Sequence, residues 1–148
     1  MSQLNKDELI GLLEIVDPFL MVDSVSFVDH GVVGVGKRLV VETDWYYGCH
    51  FVGKPMMPGV LQTEMMLQTL VSILCSYNKI KAKDCLINKT IVNFFEPVVG
   101  SGNLSAQSRL SKEIRGMVEG KAELIFNGKK VAQGSFRFVI AGNLKIRG

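Results

Sequence analysis

The sequence predicts an α+β fold in which a mostly antiparallel sheet wraps around one long hydrophobic helix. Residues 59–77 are apolar on nearly every side of a helical projection, which is typical of a helix buried in a core. The flanking segments instead carry β-branched residues and apolar–polar alternation, which are typical of strands. Because strands and helices do not alternate along the chain, we do not expect a parallel sheet built from βαβ units.

The N-terminal part of the chain predicts one short helix followed by a hairpin. Residues 4–15 place leucines near helical spacing, and we expect Pro18 to end this helix. Residues 19–28 and 32–43 have the character of strands, and His30 lies in the turn between them. We therefore expect His30 to be a solvated turn residue rather than a catalytic one.

The C-terminal half predicts four more strands after a polar connector over residues 78–84. The Asn127-Gly128 pair predicts a tight turn between the last two of these strands. The four strands are predicted over residues 85–95, 104–114, 116–126 and 131–140. We expect residues 1–148 to form a single domain, with residues 142–148 as a flexible tail.

The composition argues against several classes of function. The formal net charge is only +3 and the basic residues are scattered, so we expect no nucleic-acid-binding surface. The longest apolar stretch is interrupted by polar residues, and no apolar run follows a basic N-terminus, so we expect no membrane span and no secretory signal. The three cysteines show no Cys-x-x-Cys spacing, so we expect no disulfide framework, no zinc site and a cytoplasmic location.

The most informative segment runs from His50 to Glu64 and reads HFVGKPMMPGVLQTE. It places a histidine in a Gly/Pro-rich turn and a carboxylate just inside the helix that follows. The amides of Gly59 and Val60 lie in the first helical turn, where N–H groups lack intrahelical partners and can stabilise an oxyanion. Histidine titrates near neutrality and burial raises a carboxyl pKa, so His50 and Glu64 are candidate acid and base groups beside a carbonyl.

This segment resembles the motif of the 3-hydroxyacyl-[acyl-carrier-protein] dehydratases of the FabZ type, which have the hot-dog fold. The positions that match the family pattern are His50, Phe51, Gly53, Pro55, Met57, Pro58, Gly59, Val60, Leu61, Glu64, Met66 and Gln68. Residues 18–23 and 93–99 resemble two further segments of the family's sequence pattern. The fold that the resemblance implies agrees with the fold predicted from the pattern of helices and strands.

The resemblance implies dehydration of 3-hydroxyacyl thioesters to trans-2-enoyl thioesters, in fatty-acid or related acyl-chain biosynthesis. By the family's mechanism, His50 takes the C2 proton, and Glu64 of the partner subunit assists departure of the 3-hydroxyl as water. The amide of Gly59 would bind the thioester oxygen, and Gln68 would orient Glu64. The resemblance implies no metal and no redox cofactor.

The resemblance also implies partners. The substrate would be carried by acyl carrier protein, with coenzyme A as the other carrier to consider. The chain would form a homodimer, with a trimer of dimers as a further assembly, and the acyl chain would enter a tunnel beside the central helix. Four side chains are candidates for either the tunnel wall or the core: Phe51, Met65, Leu67 and Phe95.

Several departures from the family pattern indicate a diverged member. Val52 stands where the family has proline, and Asn93 stands where it has a basic residue. Residues 14–17 and 100–101 also differ from the family pattern. None of these departures affects His50 or Glu64.

Two other functions remain open at this point. A hot-dog thioesterase could use the same helix start and carboxylate to direct water at the thioester carbonyl. The His-Phe-x-Gly segment ahead of the helix favours dehydration over that alternative. A non-catalytic acyl-binding protein of the same fold would have no need to retain both His50 and Glu64.

Overall fold

The structure is a computed structural model that describes residues 2–141. Its strands are β1 (Gln3–Leu4), β2 (Ser24–Asp29), β3 (Val33–Val40), β4 (Cys85–Phe94), β5 (Gly102–Leu110), β6 (Met117–Phe126) and β7 (Lys129–Ile140). Its α-helices are α1 (Lys6–Leu13) and α2 (Gly59–Asn78), and two 3₁₀ helices cover Trp45–Gly48 and Ala82–Asp84. The predicted tail, residues 142–148, lies outside the described residues.

The described strands form one antiparallel sheet in the order β1-β2-β3-β5-β6-β7-β4. Strands β5, β6 and β7 follow one another as neighbours in the sheet, whereas β4 pairs with β7. Two strands therefore lie at the edges of the sheet, β1 at one side and β4 at the other. The prediction of an antiparallel sheet around one long helix is confirmed.

Helix α2 packs closely against the sheet because some facing sheet positions have no side chain. A Cβ atom on Gly36 of β3 would collide with the side chain of Thr69. A Cβ atom on Gly120 of β6 would lie 2.9 Å from a methyl carbon of Leu70. Glycine at these two positions lets the backbone of each strand approach the helix, as close packing requires.

The helix side of the sheet and the apolar faces of both helices form one core. Its largest fully buried side chains include Tyr46, Phe138, Leu9, Leu20, Met21, Met65, Met66, Leu70, Ile73, Leu104 and Leu124. Burial of α2 among these residues confirms the interpretation of its nearly uniform apolar pattern.

Helix α1 begins with a capping box and ends earlier than predicted. Asn5 accepts a hydrogen bond from the backbone of Glu8, and the Glu8 carboxylate accepts one from the backbone of Asn5. At the other end, Glu14 adopts the left-handed conformation with φ of 56° and donates its amide to Ile10. The helix therefore ends at Leu13, so the prediction that Pro18 ends it is wrong.

The predicted strand over residues 19–28 is wrong in its first half, because β2 begins only at Ser24. Residues 20–22 are buried, but the backbone of this segment forms hydrogen bonds outside a regular strand ladder. The amide of Met21 donates to the side-chain oxygen of Gln68 at 2.7 Å, and the carbonyl of Phe19 accepts from the same side chain at 2.9 Å. Apolar character here reflects burial against α2 rather than a strand.

The remaining strands follow the prediction more closely. Strand β5 ends at Leu110 rather than at residue 114, because residues 111–116 form the connection to β6 through a bridge between Ile114 and Met117. Asn127 and Gly128 both have positive φ, as the predicted tight turn requires. No helix within residues 2–141 combines the length and the apolar character needed to cross a membrane.

Candidate active site

His50 follows the 3₁₀ helix Trp45–Gly48 and is held by the peptide groups of one residue. Its Nδ1 atom lies 2.9 Å from the carbonyl oxygen of Met56, and its own carbonyl accepts the amide of Met56 at 2.8 Å. Because a carbonyl oxygen can only accept, Nδ1 carries the proton in this contact. In the neutral ring Nε2 is then the basic nitrogen, which is the form that a general base requires.

The loop after His50 folds back on itself through backbone hydrogen bonds. The amide and carbonyl of Phe51 pair with the carbonyl and amide of Lys54, each at 3.0 Å. Gly53 has φ of 75°, a conformation that glycine adopts without steric cost. Val52 lies at the tip with 93% of its side chain exposed. The loop thus returns the chain to Met56 beside His50.

Asp44 fixes the chain just before His50. Its carboxylate accepts the hydroxyl of Tyr46 at 2.8 Å, the guanidinium of Arg38 at 3.2 Å and the amide of Val41 at 3.1 Å. Burial and the hydrogen bond to Asp44 raise the pKa of Tyr46 above its usual range, and burial raises that of Tyr47 to about 12. Both tyrosines are therefore neutral hydrogen-bond donors at physiological pH.

Helix α2 begins with two amides that have no hydrogen-bond partner within residues 2–141. The carbonyl of Pro58 accepts the amides of Leu61 and Gln62 at 3.0 and 3.1 Å, which leaves the amides of Gly59 and Val60 unbonded. The ring of Phe94 packs so close to Gly59 that a Cβ atom there would lie 3.0 Å from it. The arrangement fits the predicted oxyanion site, which stays a prediction.

Glu64 projects from the second turn of α2 and is oriented by Gln68 one turn later. The side-chain amide of Gln68 donates to the Glu64 carboxylate at 3.0 Å, and only 2% of Gln68 is exposed. The same side chain is anchored by its two bonds to the backbone of Phe19 and Met21. Burial raises the pKa of the Glu64 carboxyl, while the hydrogen bond from Gln68 opposes part of this rise.

A cleft of about 470 Å³ opens beside Glu64. Apart from Glu64 and Gln68 it is lined mainly by apolar side chains, including Leu13, Ile15, Leu67, Val71 and Ile87. His50 is not among the residues that line it. Within one chain, therefore, the cleft provides the carboxyl group and an apolar wall but not the histidine.

The four candidates for the acyl tunnel occupy different environments. Leu67 lines the cleft beside Glu64, whereas Met65 is fully buried in the core. Phe51 and Phe95 are exposed to 53% and 52%. Their assignment to an acyl tunnel stays a prediction for all four residues.

The outer edge of β4 is unpaired and apolar. Among the described strands β4 pairs only with β7, which leaves the backbone groups of its other side free. Four large apolar side chains of this strand are about half exposed: Leu86, Ile87, Ile91 and Phe94. Within residues 2–141, no group of three or more His, Cys, Asp or Glu side chains is placed to hold a metal ion.

A family model described as a FabA-like domain matches residues 15–135, which is most of the chain and includes both His50 and Glu64. The chain belongs to the FabA-like family. The match contains the start of α2, the loop that holds His50 and every residue that lines the cleft except Leu13 and Glu14, so most of the site of this FabA-like protein lies in the part that matches its family.

Curated relatives of this FabA-like protein are named 3-hydroxyacyl-[acyl-carrier-protein] dehydratase FabZ. One, from Clostridium botulinum (strain Loch Maree / Type A3), is 34% identical over 127 residues, covering 83% of this chain and 86% of the relative. Another, from Roseiflexus sp. (strain RS-1), is 29% identical over 135 residues, covering 90% of this chain and 94% of the relative. The resemblance to the FabZ type is confirmed.

The fold of this FabA-like protein is also found in solved structures. The PaaI protein from the phenylacetic acid degradation operon of E. coli superposes with a TM-score of 0.63 at 13% identity, covering 90% of this chain and 88% of that one. Together with the sheet and helix arrangement, this similarity confirms the hot-dog fold.

The sequence pattern did not single out Gln62, which the structure places beside the start of α2. Its side-chain amide donates to the carbonyl of Met57 at 3.2 Å, and only 3% of the residue is exposed. Its side-chain oxygen has no partner within residues 2–141. One feature of the sequence could have identified Gln62. It is a glutamine in a largely apolar helix, and a buried side-chain amide needs a hydrogen-bond partner.

Proposed function

We propose that this protein removes water from 3-hydroxyacyl thioesters carried by acyl carrier protein, giving trans-2-enoyl thioesters for fatty-acid or related acyl-chain biosynthesis. The proposal rests on the Glu64 carboxyl, which Gln68 holds in a largely apolar cleft. Glu64 also lies within the part of the chain that matches the family. The names of the curated relatives support both the reaction and the carrier.

The reaction needs one base and one acid, and the proposal assigns these roles to His50 and Glu64. Nε2 of His50 takes the C2 proton, whose acidity comes from the neighbouring thioester carbonyl. The electron pair of the C2–H bond forms the C2–C3 double bond as the C3–O bond breaks. The protonated Glu64 carboxyl gives its proton to the departing oxygen, so that water leaves, and its raised pKa favours this acid role.

The start of α2 contributes electrostatic stabilisation in this proposal. Negative charge develops on the thioester oxygen when the C2 proton leaves. The unbonded amides of Gly59 and Val60 can donate to that oxygen, and they lie at the positive end of the helix dipole. The apolar side chains along the cleft, Leu67 and Val71 among them, give the acyl chain a surface to contact.

A homodimer completes the site in this proposal. The cleft beside Glu64 lacks His50, and the unpaired apolar edge of β4 offers a surface on which a second copy can extend the sheet. His50 of the partner subunit would then face Glu64. Three such dimers would assemble further into a trimer of dimers. We also propose a cytoplasmic location, which the three free cysteines support.

The test is a direct assay of the purified protein with 3-hydroxyacyl thioesters, followed by the absorbance of the conjugated enoyl thioester. We expect turnover with acyl carrier protein, and a parallel assay with coenzyme A thioesters measures the preference between carriers. His50→Ala and Glu64→Gln should each lower kcat/KM by about 10²-fold or more, as for positioned acid and base groups. His30→Ala is the matched control, because His30 is exposed and stacks on Phe27 far from the motif in sequence.

Two results would contradict the proposal. Release of free thiol without formation of enoyl thioester would identify a thioesterase. Tight binding of acyl thioesters without any turnover would identify an acyl-binding protein that has lost catalysis.

A further inference from the structure

Two of the three cysteines, which lie ten positions apart in the sequence, meet in the structure. Cys75 lies in the last turn of α2 and is buried, and Cys85 is the first residue of β4. Their sulfur atoms are 3.8 Å apart, which is a contact between two thiols rather than a disulfide. No step of the proposed dehydration uses either residue.

The two thiols differ in their access to solvent. Cys75 is 2% exposed, whereas Cys85 is partly exposed and lines the same cleft as Glu64. A small solute that enters the cleft can therefore reach the sulfur of Cys85 before that of Cys75. The environment also lowers the pKa of Cys85 through the hydrogen bond from Cys75, and raises that of Cys75 through the same contact and burial.

We propose that Cys75 and Cys85 form a reversible oxidation site, in which Cys85 reacts first with a peroxide and Cys75 then closes an intramolecular disulfide. The proposal concerns the thiols themselves and does not depend on the proposed dehydration. A neighbouring thiol within contact distance intercepts the first oxidised form.

The chemistry balances with hydrogen peroxide as the oxidant. The Cys85 thiolate attacks one peroxide oxygen, the O–O bond breaks, and the products are Cys85 sulfenic acid and hydroxide, which takes up a proton to form water. The Cys75 sulfur then attacks the Cys85 sulfur, an S–S bond forms, and the S–O bond breaks with loss of a second water. Two thiols lose two electrons in total, and these electrons reduce one peroxide to two waters.

The movement required is small. The sulfur atoms must approach from 3.8 Å to a bond length of about 2 Å. Cys85 directly follows the short 3₁₀ helix Ala82–Asp84, and among residues 2–141 its sulfur has one other polar contact, a long one of 3.7 Å to the carbonyl of Lys81. Rotation of the Cys85 side chain therefore breaks no strong hydrogen bond.

The test is to treat the full-length protein with hydrogen peroxide, block remaining thiols with iodoacetamide under denaturing conditions, and map the peptides by mass spectrometry. We expect the number of alkylated cysteines to fall from three to one, with Cys49 remaining. The mass before alkylation should fall by about 2 Da, and dithiothreitol should restore all three thiols. Cys49→Ser is the control and should still form the Cys75–Cys85 disulfide.

Two variants separate the roles of the thiols. In Cys75→Ser, Cys85 should proceed to sulfinic or sulfonic acid, which dithiothreitol does not reverse. Because Cys75 is buried and its replacement can disturb the fold, Cys85→Ser provides a second test and should show no intramolecular disulfide. If both Cys75 and Cys85 remain alkylatable in the wild type while Cys49 is oxidised, or if only disulfides between chains form, the proposal is wrong.

Discussion

Glu64 must be protonated for the proposed chemistry, so its pKa sets the alkaline limit of the active pH range. As the pH rises through the raised pKa of Glu64, the acid is lost. Burial of Glu64 extends the pH range in which this carboxyl keeps its proton, so we expect an alkaline limb of the activity profile whose position depends on the surroundings of Glu64.

Substitution of Gln68 by methionine tests that dependence. Gln68 donates to the Glu64 carboxylate and so stabilises its charged form. In Gln68→Met this stabilisation is lost, so the pKa of Glu64 should rise and the alkaline limb of kcat/KM should move to higher pH. We also expect a lower kcat, because the carboxyl group is no longer held in one orientation. The measurement is the pH profile of kcat/KM.

A change in the free energy of unfolding alone would not shift the alkaline limb of the kcat/KM profile. Gln68→Met also loses the bonds to Phe19 and Met21, which should lower the free energy of unfolding by about 1–3 kcal/mol. Gln107→Met, at an exposed position of β5, is the matched control and should leave both the profile and the stability unchanged. An unshifted alkaline limb in Gln68→Met would show that Gln68 does not act on Glu64.

Substitution of Gln62 should lower kcat without a matching change in the free energy of unfolding. In Gln62→Leu the unpartnered side-chain oxygen disappears, which favours folding, while the carbonyl of Met57 loses its donor, which opposes it. We expect the free energy of unfolding to change by less than about 1 kcal/mol. The kcat should fall by about tenfold, because the neighbouring residue Met56 holds His50 in position. Denaturant unfolding and steady-state kinetics measure the two quantities.

If Gln62 only fills space, Gln62→Leu should leave kcat unchanged. A second substitution, Gln62→Glu, keeps the shape of the side chain but replaces the donor by an acceptor that faces the Met57 carbonyl. It should lower kcat at least as far as Gln62→Leu does.

At the scale of elements, the distance between α2 and the sheet depends on small residues. Gly36→Ala places a methyl group against Thr69, which is itself fully buried on α2. We expect a loss of about 1–3 kcal/mol in the free energy of unfolding, because an overpacked core must shift its side chains or its backbone. Urea denaturation measures this loss.

Gly11→Ala is the matched control for this substitution. Gly11 lies within α1, and a Cβ atom there would meet nothing within 4 Å. Alanine is a better helix former than glycine, so Gly11→Ala should raise the free energy of unfolding by up to about 1 kcal/mol. Equal effects of both substitutions would show that contact with α2 does not constrain position 36.

Elements with a strong local pattern could be predicted from the sequence, and those formed by long-range contacts could not. Helix α2 and the Asn127-Gly128 turn each follow from a pattern within a few residues. Strand β1 has only two residues and exists because it pairs with β2, so it leaves no pattern of its own. Residues 19–23 look like a strand because they are mostly apolar and residues 20–22 are buried, but the backbone of Phe19 and Met21 bonds to the side chain of Gln68.

The same distinction holds within the site. The contact between Glu64 and Gln68 could be predicted, because side chains four residues apart meet on one face of a helix. The contact between Cys75 and Cys85 could not, because it depends on how the connector after α2 returns the chain to the edge of the sheet. No spacing rule relates a helix end to the start of a strand.

At the scale of the whole molecule, the proposed dimer makes a quantitative prediction about mixed subunits. His50→Ala and Glu64→Gln are each expected to be nearly inactive. If His50 of one subunit works with Glu64 of the other, a mixed dimer has one site in which both residues are intact. Random exchange of equal amounts should therefore restore about a quarter of the wild-type sites.

The experiment is to unfold and refold the two variants together and measure dehydration. Refolding each variant alone is the control and should yield no recovery. If both residues of a site came from one chain, the mixture would be no more active than the two variants assayed separately. A monomer by light scattering, combined with full wild-type activity, would also contradict the proposed dimer.

The way in which Met56 holds His50 affects which residues of this loop can change. Both bonds to His50 come from the peptide groups of Met56, and the ring also contacts that of Phe51, with centroids 3.8 Å apart, so its orientation does not depend on the side chain at the tip of the loop. The departure from the family at Val52 lies at the exposed tip and leaves these bonds in place. Side chains at the tip are thus free to diverge during evolution and alter the outer surface of the protein, while the orientation of the histidine stays constant.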